Sequence, residues 1–446
     1  MFRFAIGERQ RAAAIKRLWP LALLAAIVGT ASAQQIPATE FGATPVIDEP
    51  KKSLLPTLHT AKAVGWSGDA HPIAADGLRV EAYARNLDHP RWLFVLPNGD
   101  VLVAESDAPP KPDDNKGLEG KIQKQVMKRA GSGARPSANR ITLLRDGGEG
   151  NAPERHVFLQ GLNSPIGMAL IGNKFYVADS DALLSVGYRT GDAQIRTPPA
   201  QVTLLPAGTI NHHWTKSLLA SRDGRKLYVG VGSNSNAAEN GLAVEAERAS
   251  VWEVDPATGS HRIFASGLRN PVGLAWEPHS GALWVAVNER DALGDHLPPD
   301  YMTSVREGAF YGWPYSYYGQ HVDERVKPQD PDMVAKAVSP DYALGAHTAS
   351  LGLCWSGDVK LPAPFKSGMF VGQHGSWNRK VRSGYKVIFV PFADGRPAGA
   401  PLDVLTGFLD ARGHAMGRPV GLAIDKHGAL LVADDVGGVI WRVTAK

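Results

Sequence analysis

The sequence predicts an all-β fold, a six-bladed β-propeller with long inter-strand insertions. Three observations carry that expectation: one hairpin pattern returns six times along the 446 residues, further strand-like runs lie between the copies, and strongly helical periodicity is nearly absent. The pattern is clearest in GLRNPVGLAWEPHSGALWVAVNE (267–289) and GRPVGLAIDKHGALLVADD (417–435). Both read Pro-Val-Gly-Leu-Ala, turn, Gly-Ala-Leu, apolar strand, acidic end. Units of about four strands arranged around a ring make a propeller. A two-sheet sandwich would leave the six similar copies unexplained.

Taken in chain order, the first segment reads as an export signal over residues 1–33. Arg3, Arg9, Arg11, Lys16 and Arg17 precede an uncharged run from Leu18, which closes on the cleavage pattern Ala31-Ser32-Ala33. The run is shorter than the roughly 20 residues of a membrane-spanning helix, so no stable membrane insertion is expected after cleavage. The expected location is the periplasm or the exterior, with the mature chain beginning at Gln34. Cys354 is the only cysteine, so no internal disulfide is available and stability must come from packing or a bound ion. Residues 34–76 form an N-terminal extension, and 77–446 form the propeller.

The propeller opens with GLRVEAYAR (77–85). It is expected to close the ring against the last strands, because GVIWRV (438–443) has no outer strand following it. The first repeat is HPRWLFVLPNGDVLVAES (89–106), turning at Pro97-Asn98-Gly99. The second is NSPIGMALIGNKFYVADS (163–180), and the third lies in INHHWTKSLLASRDGRKLYVGVGSNSN (210–236), turning at Asp223-Gly224. The fifth is HTASLGLCWSGDVKLPAPFKSGMFVGQHGSW (347–377). Outer strands are read in RITLLRD (140–146), SVWEVDP (250–256) and YKVIFVPF (385–392). Two long segments interrupt the rhythm. The Lys-rich stretch 107–139 falls inside the first repeat and reads as peripheral. Residues 290–346 fall between the fourth and fifth, and their rings Phe310, Tyr311, Trp313, Tyr315, Tyr317 and Tyr318 are expected to wall a pocket.

In a hairpin, the residue before the first strand and the residue after the second lie at the same end. The six repeats therefore gather Arg91, Asn163, His213, Arg269, Asn270, His347 and Arg418 on one face of the ring. The ends of the second strands add Glu105, Asp179, Asp181, Asn234, Asn236, Asn288, Glu289, His374 to Arg379, Asp434 and Asp435. Such residues can simply cap their own blades. As a set, so much buried polarity is costly without a ligand, and a polar or anionic one fits best. The formal charge of +4 and the lack of a basic run interleaved with aromatics exclude nucleic acid as an expected partner.

With these residues placed, the chain resembles the soluble PQQ-dependent sugar dehydrogenases, most closely the L-sorbosone dehydrogenase group. NHHWTKSLLASRDGRKLYVGVGSNSN, GLRNPVGLAWEP, VNERDALGD, FYGWPYSYYG, GQHGSWNR and GRPVGLAIDKHGALLVADD carry the likeness. The resemblance implies a six-bladed propeller that holds pyrroloquinoline quinone (PQQ) beside calcium over the axis. It implies His213 as the general base for hydride transfer from a sugar or sugar aldehyde to the quinone, a role suited to imidazole. Arg269, Asn270, Arg379, Lys380, Arg418 and Asp435 are implied as cofactor residues, since guanidinium groups match the PQQ carboxylates. The backbone carbonyls of Arg290 and Asp291 are implied for calcium, although the family has Gly-Pro there. Expected partners are a small sugar or aldehyde and a periplasmic electron acceptor. Two alternatives stay open: a calcium-dependent propeller lactonase or esterase, and a propeller that only binds.

Overall fold

The computed structural model describes residues 37–51, 57, 59–110, 129, 131, 136–148 and 151–446. The proposed export signal and most of the 107–139 insertion lie outside them. Six antiparallel sheets of four or more strands follow one another along the chain. Blade one comprises Pro90–Val95, Val101–Glu105, Arg140–Arg145 and Glu154–Gln160, from the axis outward. Blades two and three repeat this order from Gly167–Ile171 and Lys216–Ala220. Blades four, five and six begin at Pro271–Trp276, Ser350–Trp355 and Pro419–Ile424. Closure is as the sequence predicts: Leu78–Ala84 pairs antiparallel with Val439–Ala445 as the outer strand of blade six. A short α-helix, Pro331–Lys336, is capped by the Asp330 side chain.

The repeated Pro-Val-Gly has a packing cause. A Cβ on Gly273 would stand 2.5 Å from the Leu353 Cβ of the next blade, and one on Gly421 would stand 2.6 Å from the Arg91 carbonyl oxygen. Only glycine lets the innermost strands of neighbouring blades approach this closely. The same strands are bulged beside these positions, with register shifts at Pro271/Gly273, Ser350/Gly352, Pro419/Leu422 and Pro90/Trp92. A bulge re-aims the residues next to it, here the polar residues at the strand starts. Below them Val272, Leu351 and Val420 pack together with Trp92 as a small apolar cluster on the inner strands. Larger apolar clusters fill the spaces between blades, such as that of Phe370, Phe389, Leu430 and Trp441.

Two expectations about chain organisation are corrected. Residues 290–346 do not lie between blades four and five; they contain the two outer strands of blade four, Pro299–Ser304 and Tyr342–Ala346. The sequence concealed these strands because Pro299 and Asp300 open one and neither alternates apolar and polar residues. The N-terminal extension is likewise part of the ring. Phe41–Gly42 adds a fifth strand to blade four and Ile73–Ala74 pairs with the outer strand of blade five.

Candidate active site

His213 stands just before the inner strand of blade three, and its orientation is fixed from its own blade. Its Nδ1 lies 2.8 Å from the Ser233 carbonyl oxygen and 3.0 Å from Ser233 Oγ, which itself donates to the Ser235 carbonyl. The carbonyl can only accept, so the neutral ring carries its proton on Nδ1 and its lone pair on Nε2. Gly232 makes room for this: a Cβ there would lie 2.4 Å from both His213 Cβ and Asn270 Oδ1. His213 and the Asn270 amide therefore flank one point. Beneath them Lys216 is fully buried and donates to the carbonyls of His213 at 3.5 Å and Trp214 at 3.3 Å. Burial lowers the Lys216 pKa to about 7, with Arg248 adding to the effect.

Trp214 links blade three to blade one. Its indole lies 5.7 Å from the guanidinium of Arg91, which comes from blade one. Arg91 Nη1 donates to Asp435 Oδ2 at 2.6 Å, and His374 Nε2 donates to the same oxygen at 2.8 Å. His89 Nε2 lies 3.8 Å from it, with Nδ1 donating to the Ser106 carbonyl at 2.8 Å. Burial pushes the Asp435 carboxyl upward, but His374, His89 and Arg91 together hold it far below the usual carboxylate range. Arg418 completes this side by donating to the Tyr385 hydroxyl at 2.9 Å, its guanidinium 5.1 Å from the Tyr385 ring. Blades one, five and six thus meet in one charged cluster.

A second network joins blades three, four and five. Arg269 donates from Nη2 to Asn236 Oδ1 at 3.0 Å and to Asp291 Oδ2 at 3.2 Å. Its Nη1 donates to the Glu289 carbonyl at 2.7 Å and its Nε to the Asn236 carbonyl at 3.3 Å. Asp291 also accepts from Asn378 Nδ2 at 2.6 Å, and His347 Nδ1 lies 3.7 Å away. His347 Nε2 donates to the Gly294 carbonyl at 2.8 Å. Burial alone would lower the His347 pKa, but Asp291 and this carbonyl raise it.

Several expected site residues have other work. Arg379 places both arms of its fork on Glu40, at 2.8 Å each, and Lys380 is exposed. The N-terminal extension brings this carboxylate to the fork, with no local sign of it in the residues around either partner. Glu105, Asp179 and Asp434 accept the backbone N–H of Asp88, Asn163 and Arg418, tying the top of each second strand to the chain entering its inner neighbour. These are capping roles. Arg290 is buried and paired with Asp323. The Asp291 carbonyl, expected to hold calcium, accepts from Asn236 Nδ2 at 3.2 Å and has Arg325 Nη2 at 3.5 Å. Among the described residues no three or more His, Cys, Asp or Glu side chains converge on a metal position. The Asp291 carbonyl thus already faces two N–H donors, one of them cationic. Of the aromatic run, Phe310, Tyr311, Trp313, Tyr317 and Tyr318 are buried, and only Tyr315 keeps partial exposure. Trp313 nonetheless reaches the site rim, donating to the Asn236 carbonyl at 3.0 Å.

An anionic, carbonyl-rich cofactor fits better. Arg91 Nε and Arg418 Nε are buried without an acceptor among the described residues, as are the Nε atoms of Arg290, Arg379 and Arg382, and the amide oxygens Asn234 Oδ1 and Asn270 Oδ1 are buried without a donor. Buried guanidinium nitrogens of this kind require an acceptor, and a carboxylate or quinone oxygen is one.

The fold is a six-bladed propeller with a charged cluster gathered at one end of its inner strands, and sequence comparison gives its family. Residues 137–307 and 312–446 match the TrAA12-like family, and the chain belongs to it. It is 28% identical over 292 residues to an uncharacterised protein of Borreliella burgdorferi, covering 63% of this chain and 76% of that protein. It is 26% identical over 342 residues to the PQQ-dependent pyranose dehydrogenase of Coprinopsis cinerea, over 63% of this chain and 46% of that protein's length. The holo PQQ domain of the Coprinopsis cinerea pyranose dehydrogenase shares the fold. It superposes with a TM-score of 0.67 at 21% identity, over 86% of this chain and all of that domain, 100%.

Proposed function

We propose that this protein is an exported PQQ-dependent dehydrogenase that oxidises an aldose or a sugar aldehyde of the sorbosone type, with His213 as general base. Membership of a family whose relatives include a PQQ-dependent pyranose dehydrogenase supports the reaction class. The carrying observation is that Arg91 and Arg418 meet His374 and Tyr385 around the Asp435 cluster, each with an Nε that has no acceptor among the described residues. These two arginines and the Asn270 amide would hold the cofactor. When bound, PQQ supplies an electrophilic quinone that accepts hydride.

The protein's own contribution is positional and acid-base. With its proton on Nδ1 held by Ser233, His213 presents Nε2 to take the hydroxyl proton of the sugar or of a hydrated aldehyde. Trp214 and the apolar cluster of Val272, Leu351 and Val420 are placed to exclude water from below. Asp435 keeps Arg91 and His374 in place through two hydrogen bonds to one oxygen. No step depends on calcium. The testing experiment adds PQQ to protein prepared without cofactor and follows dye reduction against a panel of aldoses and aldehydes. Activity requiring both PQQ and His213 supports the proposal. PQQ-independent hydrolysis of lactones in the same preparation contradicts it.

A further inference from the structure

A cleft of about 400 Å³ opens beside the second network, between residues 236–239 of blade three and residues 325–327 of the long segment. Its floor is Asn236, whose side chain is held by Arg269 and the Asp291 backbone. Its wall presents two exposed cations, Arg325 and Lys327, on either side of the buried Val326. Their backbone is held firmly. Gln329 Nε2 donates to the carbonyls of Asp323 at 2.6 Å and Val326 at 2.9 Å, and the Arg325 N–H donates to Asp323 Oδ1 at 3.2 Å. Asp323 is itself anchored by the buried Arg290.

The cleft lining carries two cations, Arg325 and Lys327, against one acid, Glu239, whose charge also acts on Arg325. The Glu239 carboxylate accepts the N–H groups of Asn236 at 3.0 Å and Ala237 at 2.6 Å, so it closes its own loop and has two donors already. Arg325 Nη2 meets the Asp291 carbonyl only at the long distance of 3.5 Å, and Lys327 is exposed. Two cations on a fixed turn, over a polar amide floor, suit a small carboxylate attached to a hydroxyl-bearing ring.

We propose that this cleft is a specificity site for sugars bearing a carboxylate, of the uronic-acid class, with the carboxylate on Arg325 and Lys327 and the ring toward Asn236. The proposal rests on the dehydrogenase reading above for its purpose, because Asn236 is shared between the cleft and the Arg269 network. The recognition itself is a property of the cleft alone.

The test is calorimetric titration of the full chain with D-glucuronate and with its uncharged isostere D-glucuronamide, at low and high salt. Glucuronate should bind about tenfold more tightly or better at low salt, the scale of one charge-assisted contact. Arg325→Gln with Lys327→Gln should bring the two affinities together while the melting temperature is kept. Equal affinities in the unsubstituted protein, or a preference that survives both substitutions, overturn the proposal. The same samples are titrated with PQQ. Protein that distinguishes the two sugars but binds no PQQ keeps the cleft assignment and loses the dehydrogenase reading. Protein that binds PQQ but does not distinguish them does the reverse.

Discussion

Arg379 and Glu40 are 339 positions apart in the chain and form a two-armed ion pair, 2.8 Å on each arm, with both side chains buried. His296 Nδ1 adjoins it, 2.6 Å from Glu40 Oε1. The pair fastens the N-terminal extension to blade five. It commits both Nη atoms of Arg379 to Glu40, while its Nε is buried without an acceptor among the described residues.

Glu40→Gln should therefore destabilise the protein without emptying the site. Removing one partner of a buried ion pair leaves an uncompensated guanidinium and costs about 3 kcal/mol. Differential scanning calorimetry should show a marked fall in melting temperature, with PQQ affinity per folded molecule nearly kept. An unchanged melting temperature with weaker PQQ binding would return Arg379 to the cofactor site.

His213→Gln should lower turnover by about 100-fold or more, the scale of a positioned acid-base group, with little change in melting temperature or PQQ affinity. His212→Gln should be much milder, because it is the His213 ring that Ser233 orients. Steady-state rates and melting curves for both variants decide the matter. Equal losses in the two would place the base elsewhere.

His374 gives a pH-dependent contribution to stability. Burial lowers its pKa to about 4, and the adjoining Asp435 carboxylate offsets this only in part. The unfolded chain takes up this proton near the ordinary value of about 6.5. The contribution of the neutral imidazole is thus complete above about 6.5 and is lost as pH falls toward about 4. Comparing denaturant unfolding of the protein with His374→Asn isolates it from the buried carboxyls. The stability difference between them should shrink with falling pH across that window, by up to about 1.4 kcal/mol per pH unit. Parallel curves would contradict the buried neutral imidazole.

The ring was legible because its cause is local and repeated. Each Pro-Val-Gly marks an inner strand whose glycine admits the neighbouring blade, and each polar end marks the same face. The closing strand was legible by elimination, since Val439–Ala445 needed a partner and Leu78–Ala84 had none. What escaped depends on contacts between distant residues. Nothing near Glu40 in sequence indicates that it meets Arg379, and nothing near Trp214 indicates that it covers Arg91. The outer strands of blade four were hidden because Pro299–Ser304 and Tyr342–Ala346 do not alternate apolar and polar residues; every position but Ser304 is buried. Acids at the strand ends could not be sorted by sequence into caps such as Asp434 and cluster members such as Asp435, because adjacent residues take opposite roles.

If buried arginines at the end of the ring axis hold an anionic quinone, PQQ titration of the protein and of Arg418→Ala will show it. Arg418 donates to the Tyr385 hydroxyl and keeps a buried Nε without an acceptor among the described residues. Losing a charge-assisted hydrogen bond should weaken binding by about 2 kcal/mol, or roughly 30-fold, in protein whose melting curve confirms that it is folded. PQQ affinity unchanged by that substitution, or no PQQ binding by the unsubstituted protein, would contradict the account.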